Sequence, residues 1–138
     1  MPRLSNEFQA VLRSYPHSRR LQSVSPMAEL VFLRLVVVSD HFGRFFADPA
    51  EVLALAFTLR FASGSMTEAT VRGALDELSA VDLIRRYEAE GAYCLEIQRY
   101  FDPTPKTRKR ARFPIPPWAG PAALAPPRPT PPVVDRRT

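Results

Sequence analysis

The 138-residue chain has room for one domain, and its 46% hydrophobic content is typical of a globular protein. Its single cysteine, Cys94, excludes an intrachain disulfide, offers no zinc-binding cluster and favours a reducing cytoplasm. The strongest apolar run, residues 30–38, is interrupted by Arg34 and is too short to cross a membrane. The N-terminus lacks an apolar core, so we expect no signal peptide.

Prolines and charges divide the chain into a predicted folded part and a tail. Eleven of the 15 prolines lie after Phe101. Residues 1–101 carry 11 arginines and 12 acidic residues (net −1), whereas residues 102–138 carry 8 basic and 2 acidic residues (net +6). We therefore predict an N-terminal arm over residues 1–24, a domain over residues 25–101, and a basic, proline-rich tail that is extended or disordered.

The N-terminal arm has one amphipathic stretch. Phe8, Val11, Leu12 and Tyr15 recur at the spacing of a short helix, and residues 18–24 then resemble a connector. The stretch could pack on its own domain or dock on another subunit. Phe8, Leu12 and Tyr15 are therefore candidate partner-binding residues.

Two helix starts are indicated by their caps. Serine and proline at residues 25–26 form an N-cap with proline at the first helical position, which predicts a core helix from Met27 to about Ser39. Asp48-Pro49 repeats the signal before a second helix over about residues 49–59. Between the two helices, a very short extended segment is expected to pair with a later hairpin.

Residues 67–97 predict a third helix that runs into a β-hairpin. Ser65 and Glu68 are expected to form a capping box at the start of this helix. From Leu83 onward, apolar residues alternate on both sides of Gly91, which predicts two strands and a tight loop. The residues at the spacing of one buried helical face are Val71, Ala74, Leu75 and Leu78.

These elements predict an α+β winged helix. Its core would be a helix-turn-helix unit of three helices, with a short strand and a β-hairpin wing. The N-terminal helical arm and the proline-rich C-terminal tail would flank this core.

Several short motifs follow one another along residues 25–117. They are Leu33, Asp40, Gly43-Arg44, Asp48-Pro49, residues 74–78, Leu83-Ile84, Tyr87, Gly91, Tyr93, Ile97, and a basic run followed by prolines. In this order and spacing the chain resembles the N-terminal winged-helix region of DnaD-like replication organiser proteins of phages. The resemblance implies contacts with double-stranded DNA or with other subunits, and a role in starting replication. Longer members carry a second helical domain that engages the helicase loader and single-stranded DNA; residues 102–138 are a proline-rich tail instead, so helicase loading is not expected of these residues.

The first turns of the third helix are the part that a winged helix places in the DNA major groove. Arg72 is able to bind a guanine edge through two hydrogen bonds. Thr67 and Thr70 are the other groove candidates. Asp76 and Glu77 lie further along the same helix, where they would repel phosphate, so the DNA-binding hypothesis requires them to face away.

Other arginines and the tail are candidates for contacts with the DNA backbone. Arg44, Arg85 and Arg86 would serve if the fold brings them to one edge, and the alternative is a solvated sheet face. Five cations within residues 106–112 are expected to bind phosphate without recognising sequence, or else to keep the protein soluble or contact another acidic partner. These cations are Lys106, Arg108, Lys109, Arg110 and Arg112.

The apolar residues of the tail are Phe113, Ile115 and Trp118. They could dock on the domain or on a partner, and Trp118 is the expected partner-binding anchor because burial of an indole can supply much of the energy of a small interface. Pro126-Pro127-Arg128-Pro129 matches a minimal proline-rich recognition pattern, but the match is weak in so proline-rich a segment.

The sequence offers no candidate catalytic residues. The two histidines, His17 and His41, have no serine or cysteine in a nucleophile context beside them, and no metal-binding spacing or phosphate-binding glycine loop occurs. We therefore expect a cytoplasmic, non-enzymatic DNA-binding protein without cofactor or metal. The alternatives are an interaction or oligomerisation module that captures a host or phage protein, and a transcription regulator.

Overall fold

The computed structural model describes residues 15–98 and 112–119. The predictions for Phe8, Leu12, the Tyr15 side chain and the cations from Lys106 to Arg110 lie outside this part. Within it, five α-helices and a three-stranded antiparallel sheet confirm the α+β class. The elements, which follow a 3-10 turn at Tyr15–His17, are α1 (Arg19–Gln22), α2 (Pro26–Val38), β1 (Arg44–Phe46), α3 (Pro49–Ala56), α4 (Thr58–Ser63), α5 (Glu68–Ala80), β2 (Ile84–Ala89) and β3 (Ala92–Ile97).

Helix α2 is the central core helix, as predicted. The Ser25 hydroxyl accepts a hydrogen bond from the Ala28 N–H, and Pro26 occupies the first turn. Glu77 of α5 in turn accepts hydrogen bonds from the Ser25 N–H (2.8 Å) and hydroxyl (2.9 Å). This bond ties the start of α2 to α5, so Glu77 is part of the scaffold.

The predicted connector over residues 18–24 is wrong, because it contains α1. Ser18 caps this helix through its hydroxyl, which accepts from the Leu21 N–H. Leu21 is buried in the core. Burial of this one leucine fixes a helix too short for a periodic pattern to reveal.

The predicted second helix over residues 49–59 is also wrong in its extent. Phe57 leaves the helical region, with φ −133° and ψ 45°, and its side chain is buried. The chain then forms α4, and Gly64 ends that helix with φ 74°. Burial of the Phe57 ring therefore divides one predicted helix into two.

Helix α5 buries the predicted face, but its predicted cap is wrong. Val71, Ala74, Leu75 and Leu78 are buried. The cap is Thr67, whose hydroxyl accepts from the Thr70 N–H at 3.3 Å. Ser65 belongs instead to the end of α4, where its N–H donates to the Arg60 carbonyl.

The sheet has the strand order β1-β3-β2, so the short strand β1 pairs with the hairpin as predicted. Glu90 and Gly91 at the hairpin turn have φ values of 53° and 78°. Because side chains alternate along a strand, Phe45, Ile84 and Leu95 pack on the helical core. The other side, which we call the outer face, carries Arg44, Phe46, Arg85, Tyr87, Cys94 and Glu96.

Candidate nucleic-acid interface and the outer face of the sheet

The first turns of α5 form an exposed polar surface. The Thr67 and Thr70 hydroxyls are 3.0 Å apart and share one hydrogen bond. Arg72 donates to a carboxylate oxygen of Glu68 at 2.7 Å, and both side chains are about half exposed. Such an ion pair one turn apart on a helix contributes only about 0.5 kcal/mol, so a stronger anion can displace Glu68 from Arg72.

Gly73 lies next to this surface and is not required by the packing of the domain. It is exposed in the interior of α5, and, apart from its chain neighbours and the backbone of α5 itself, no described atom lies within 4 Å of a Cβ added there. Glycine inside a helix costs about 1 kcal/mol relative to alanine. The missing side chain leaves the helix backbone open to close approach by a partner.

The three arginines predicted near the DNA backbone lie in three different environments. Arg86 donates to Asp76 of α5 at 2.8 Å at the protein surface. The Arg85 guanidinium lies 4.2 Å from the Trp118 ring centroid. Arg44 is buried, because the register of β1 turns it onto the outer face opposite Glu96, so it does not lie at the surface as predicted.

The described residues carry an excess of acidic groups. Residues 15–98 and 112–119 include nine arginines and 11 aspartates and glutamates, which gives a net charge of −2. Asp76 and Glu68 both lie on the exposed side of α5 and are engaged by Arg86 and Arg72. Long-range attraction for a polyanion is therefore not a property of this part of the chain.

Residues 112–119, which we call the clasp, cover the outer face. They fall inside the tail that was expected to be extended or disordered. The Arg112 N–H donates to Asp40 Oδ2 at 3.2 Å, and its guanidinium donates to the Val38 carbonyl at 3.0 Å. Arg112 therefore begins the clasp at the end of α2, with part of its hydrogen-bonding capacity already in use.

Aromatic side chains of the sheet contact the next residues of the clasp. Phe113 packs edge-on against Phe46 at 5.0 Å and against Phe45 at 5.8 Å between ring centroids. The Tyr87 hydroxyl donates to the Pro114 carbonyl at 2.6 Å. Edge-to-face pairs of this kind add about 0.5–1.5 kcal/mol each beyond their buried area, so the segment is held by specific contacts.

Trp118 completes the clasp on its own domain. Its indole N–H donates to Glu96 Oε1 at 3.0 Å, and its ring lies 5.1 Å from Tyr87 in an edge-on arrangement. The stacked Arg85 guanidinium covers the indole from another side. The residue predicted to anchor a partner thus has a binding site within the same chain.

Glu96 links the clasp to a buried charge. Its Oε2 accepts from Arg44 Nε at 3.0 Å, and the two side chains are 16% and 6% exposed. The Arg44 guanidinium also lies 4.8 Å from the Phe42 ring centroid. One carboxylate therefore satisfies both a buried cation and the indole of the clasp.

Asp40 holds together the turn before β1. It is only 5% exposed, and its Oδ1 accepts from the N–H groups of Phe42 (2.9 Å) and Arg44 (3.0 Å). Its Oδ2 accepts from Arg112. The only local signal for this role was an aspartate two residues before a backbone N–H that it could cap.

Burial raises the pKa of the Tyr87 phenol and of the Cys94 thiol above their ordinary values of 10.0 and 9.0. Cys94 lies between Phe46 and Tyr87 in the strand register, and both of these residues contact the clasp. The Tyr87 hydroxyl must keep its proton to donate to Pro114. Both groups therefore favour their neutral forms in the folded protein.

We expect the folded protein to lose stability in alkaline solution. Because the pKa of each group is higher in the folded than in the unfolded protein, its contribution to stability is fully present below the unfolded pKa. This contribution falls as the pH rises beyond about 9 to 10. Urea unfolding between pH 7 and 10.5 measures this loss. Tyr87→Phe should reduce the fall of the free energy of unfolding with pH, whereas Tyr93→Phe, at an exposed position, should leave it unchanged. The same fall in the unchanged protein and in both variants would contradict the assignment to Tyr87.

Two further properties concern only the part of the chain that the structure describes. No helix there has the length and apolar character needed to cross a membrane. No group of three histidine, cysteine, aspartate or glutamate side chains is placed to hold a metal ion.

Comparison with known proteins gives no relative. No protein-family model matches the sequence, and no curated protein or solved structure matches it.

Proposed function

We propose that this domain is a winged helix that binds double-stranded DNA without catalysing a reaction, in the cytoplasm and in the initiation of phage replication. The order of elements supports this proposal: α3 and α4 precede α5, and the β2–β3 hairpin follows, with β1 added at its edge. In a winged helix this order presents α5 to the major groove and the hairpin as the wing.

The observation that carries the proposal is the exposed start of α5. Thr67, Thr70 and Arg72 project there from a helix whose opposite face is fixed in the core. Gly73 leaves room beside them for a close approach. Arg72 would bind a guanine edge after giving up its weak bond to Glu68.

The affinity for phosphate would come mainly from the tail. Residues 15–98 carry 8 arginines and 11 acidic residues, a net charge of −3, whereas residues 102–138 have +6. Each phosphate that a cation neutralises releases counterions and strengthens binding at low salt. In this arrangement α5 supplies the sequence preference and the cations at 106–110 supply most of the affinity; a small single contact surface favours binding as an oligomer.

Arg72→Ala is expected to weaken binding to a preferred duplex by about tenfold, and to leave binding to unrelated duplexes nearly unchanged. The reason is that a base contact is lost while phosphate contacts remain. Affinity is measured by fluorescence anisotropy with the full chain across a salt series. Arg19→Ala, an exposed arginine on α1, is the matched control and should have no effect on sequence preference.

Replacing Lys106, Arg108, Lys109 and Arg110 together by glutamine tests the tail in the same assay. The slope of log affinity against log salt should become shallower by about 3 to 4, since roughly 0.9 counterions are released per phosphate contact. If neither variant changes duplex binding, or the full chain does not bind DNA, the proposal is wrong.

A second candidate function is favoured by a separate observation. Large apolar side chains are exposed on α3 and α4, including Leu55, Leu59 and Phe61. Together with the net charge of −2, they favour a module that binds protein rather than nucleic acid. In that case Arg72→Ala would leave the affinity for the partner protein unchanged.

A further inference from the structure

Helix α4 is unusual because it exposes apolar side chains and buries none. Leu59 is 84% exposed and Phe61 is 53% exposed, and no residue of α4 is buried. Leu55 at the end of α3 is also 53% exposed. Covering such side chains removes apolar surface from water, so this surface favours contact with another molecule.

An open pocket of about 420 Å³ lies beside these side chains. It is formed where Phe57 leaves the helix and separates α3 from α4. Two arginines and several apolar residues line it. The lining residues are Arg34, Ala56, Phe57, Thr58, Leu59 and Arg60.

The two arginines of the pocket have no carboxylate partner within the described residues. Arg34 donates to the Ala56 carbonyl at 2.7 Å and lies 4.8 Å from the Phe57 ring centroid. Arg60 is exposed and forms no ion pair there. In contrast, Arg44, Arg72 and Arg86 are each bonded to an acidic side chain. A domain with excess negative charge therefore has a local cationic site at an apolar pocket.

We propose that this pocket binds an acidic peptide segment of a partner protein, with a large apolar side chain of that segment seated against Phe57 and Leu59. Guanidinium groups bind carboxylates through paired, charge-assisted hydrogen bonds, and Arg60 is free to do so. The apolar side chain of the peptide would cover surface that a phosphate backbone leaves in water. This combination favours protein over nucleic acid as the occupant.

The occupant is expected to come from a different protein. Residues 1–14 of this chain carry two arginines and one glutamate, and residues 120–138 carry three arginines and one aspartate. Both segments are therefore net basic and would be repelled by the arginines of the pocket. Neither segment supplies the acidic charge that these arginines would bind, which favours another protein as its source.

The test uses the full chain and a fluorescein-labelled peptide of sequence Asp-Glu-Asp-Leu-Phe, with binding followed by anisotropy in the absence of DNA. Two control peptides separate the two features: Asn-Gln-Asn-Leu-Phe lacks the charge, and Asp-Glu-Asp-Ala-Ala lacks the apolar side chains. Both should bind at least about tenfold more weakly. Arg60→Gln and Leu59→Ser, at exposed positions that leave the core intact, should each weaken the acidic peptide by about tenfold.

Arg19→Gln and Met27→Ser are the matched control variants, since both sites are exposed and lie on other helices. They should leave the affinity within about twofold. The proposal is overturned if the acidic peptide does not bind, or if Arg60→Gln and Leu59→Ser bind it as tightly as the unchanged protein.

Two other outcomes would assign the pocket elsewhere and also overturn the proposal. If duplex DNA displaces the peptide and Arg60→Gln weakens duplex binding as much as Arg72→Ala, the pocket belongs to the nucleic-acid interface. If Leu59→Ser converts an oligomer of the protein into a smaller species in solution, the surface joins copies of this chain. Because the peptide assay contains no DNA, failure of DNA binding leaves its result interpretable.

Discussion

Glu96→Gln is expected to lower the free energy of unfolding by about 3 kcal/mol. The amide keeps the size of the side chain and can still accept from the Trp118 indole. It no longer neutralises Arg44, whose side chain is 6% exposed and has no other carboxylate within the described residues. A buried cation without a counter-charge is costly because it has lost its hydration and no negative charge replaces it.

Urea unfolding followed by circular dichroism measures this effect, and Asp76→Asn provides the matched control. Asp76 belongs to the exposed ion pair with Arg86, so its replacement should change stability by less than about 0.5 kcal/mol. Adding Arg44→Met to Glu96→Gln should restore much of the lost stability, because the orphaned charge is removed. Equal costs for Glu96→Gln and Asp76→Asn would show that burial does not strengthen the Arg44 pair.

Asp40→Ala is expected to cost about 3 kcal/mol, since three backbone N–H groups lose their acceptor at once. The first two are those of Phe42 in the turn and of Arg44 at the start of β1, and the third is that of Arg112. Asp40→Asn is the informative comparison. Its amide oxygen can still serve the turn, but its NH₂ group would face the Arg112 N–H and cannot accept from it.

The two Asp40 variants should therefore differ in which part of the structure they destabilise. Asparagine should cost about 1 kcal/mol and loosen mainly the clasp, whereas alanine should destabilise the turn as well. Trp118 fluorescence and the rate of Cys94 modification by a thiol reagent report on the clasp, and urea unfolding reports on the domain. If the asparagine variant leaves both clasp signals unchanged, the Asp40 contact does not hold the clasp.

Local patterns predicted much of the helical core. Ser25 and Pro26 place the start of α2 correctly, because a cap is a contact between near neighbours. The spacing of Val71 and Leu78 predicted the buried face of α5, since one helical period determines which residues share a side. These features depend only on residues a few positions apart.

The break at Phe57 could not be predicted in this way. The helical spacing continues through residue 57, and only the position of the core relative to α3 decides that the ring turns inward. The cap of α5 was misplaced for a related reason: Ser65 and Thr67 are both good capping residues, and the end of α4 uses the first of them.

The contacts on the outer face of the sheet could not be predicted from the sequence, because they join residues that are far apart in the chain. Asp40 meets Arg112 across 72 positions, and Glu96 meets Trp118 across 22. Arg44 looked like a surface residue until the register of β1 placed it opposite Glu96. The groove candidates on α5 were easier to locate, because a residue near the start of an amphipathic helix has an exposed side that the helical period defines.

The clasp also changes what a break in the backbone would do. The chain leaves the sheet at Gln98, whose N–H donates to the Leu83 carbonyl, and it is bound to the same domain again at Arg112. Residues 99–111 thus join two points that are already held to one body. A protease that cut between them would produce two polypeptides, yet the C-terminal one, with Trp118, would remain bound through non-covalent contacts and would separate only on dilution or unfolding.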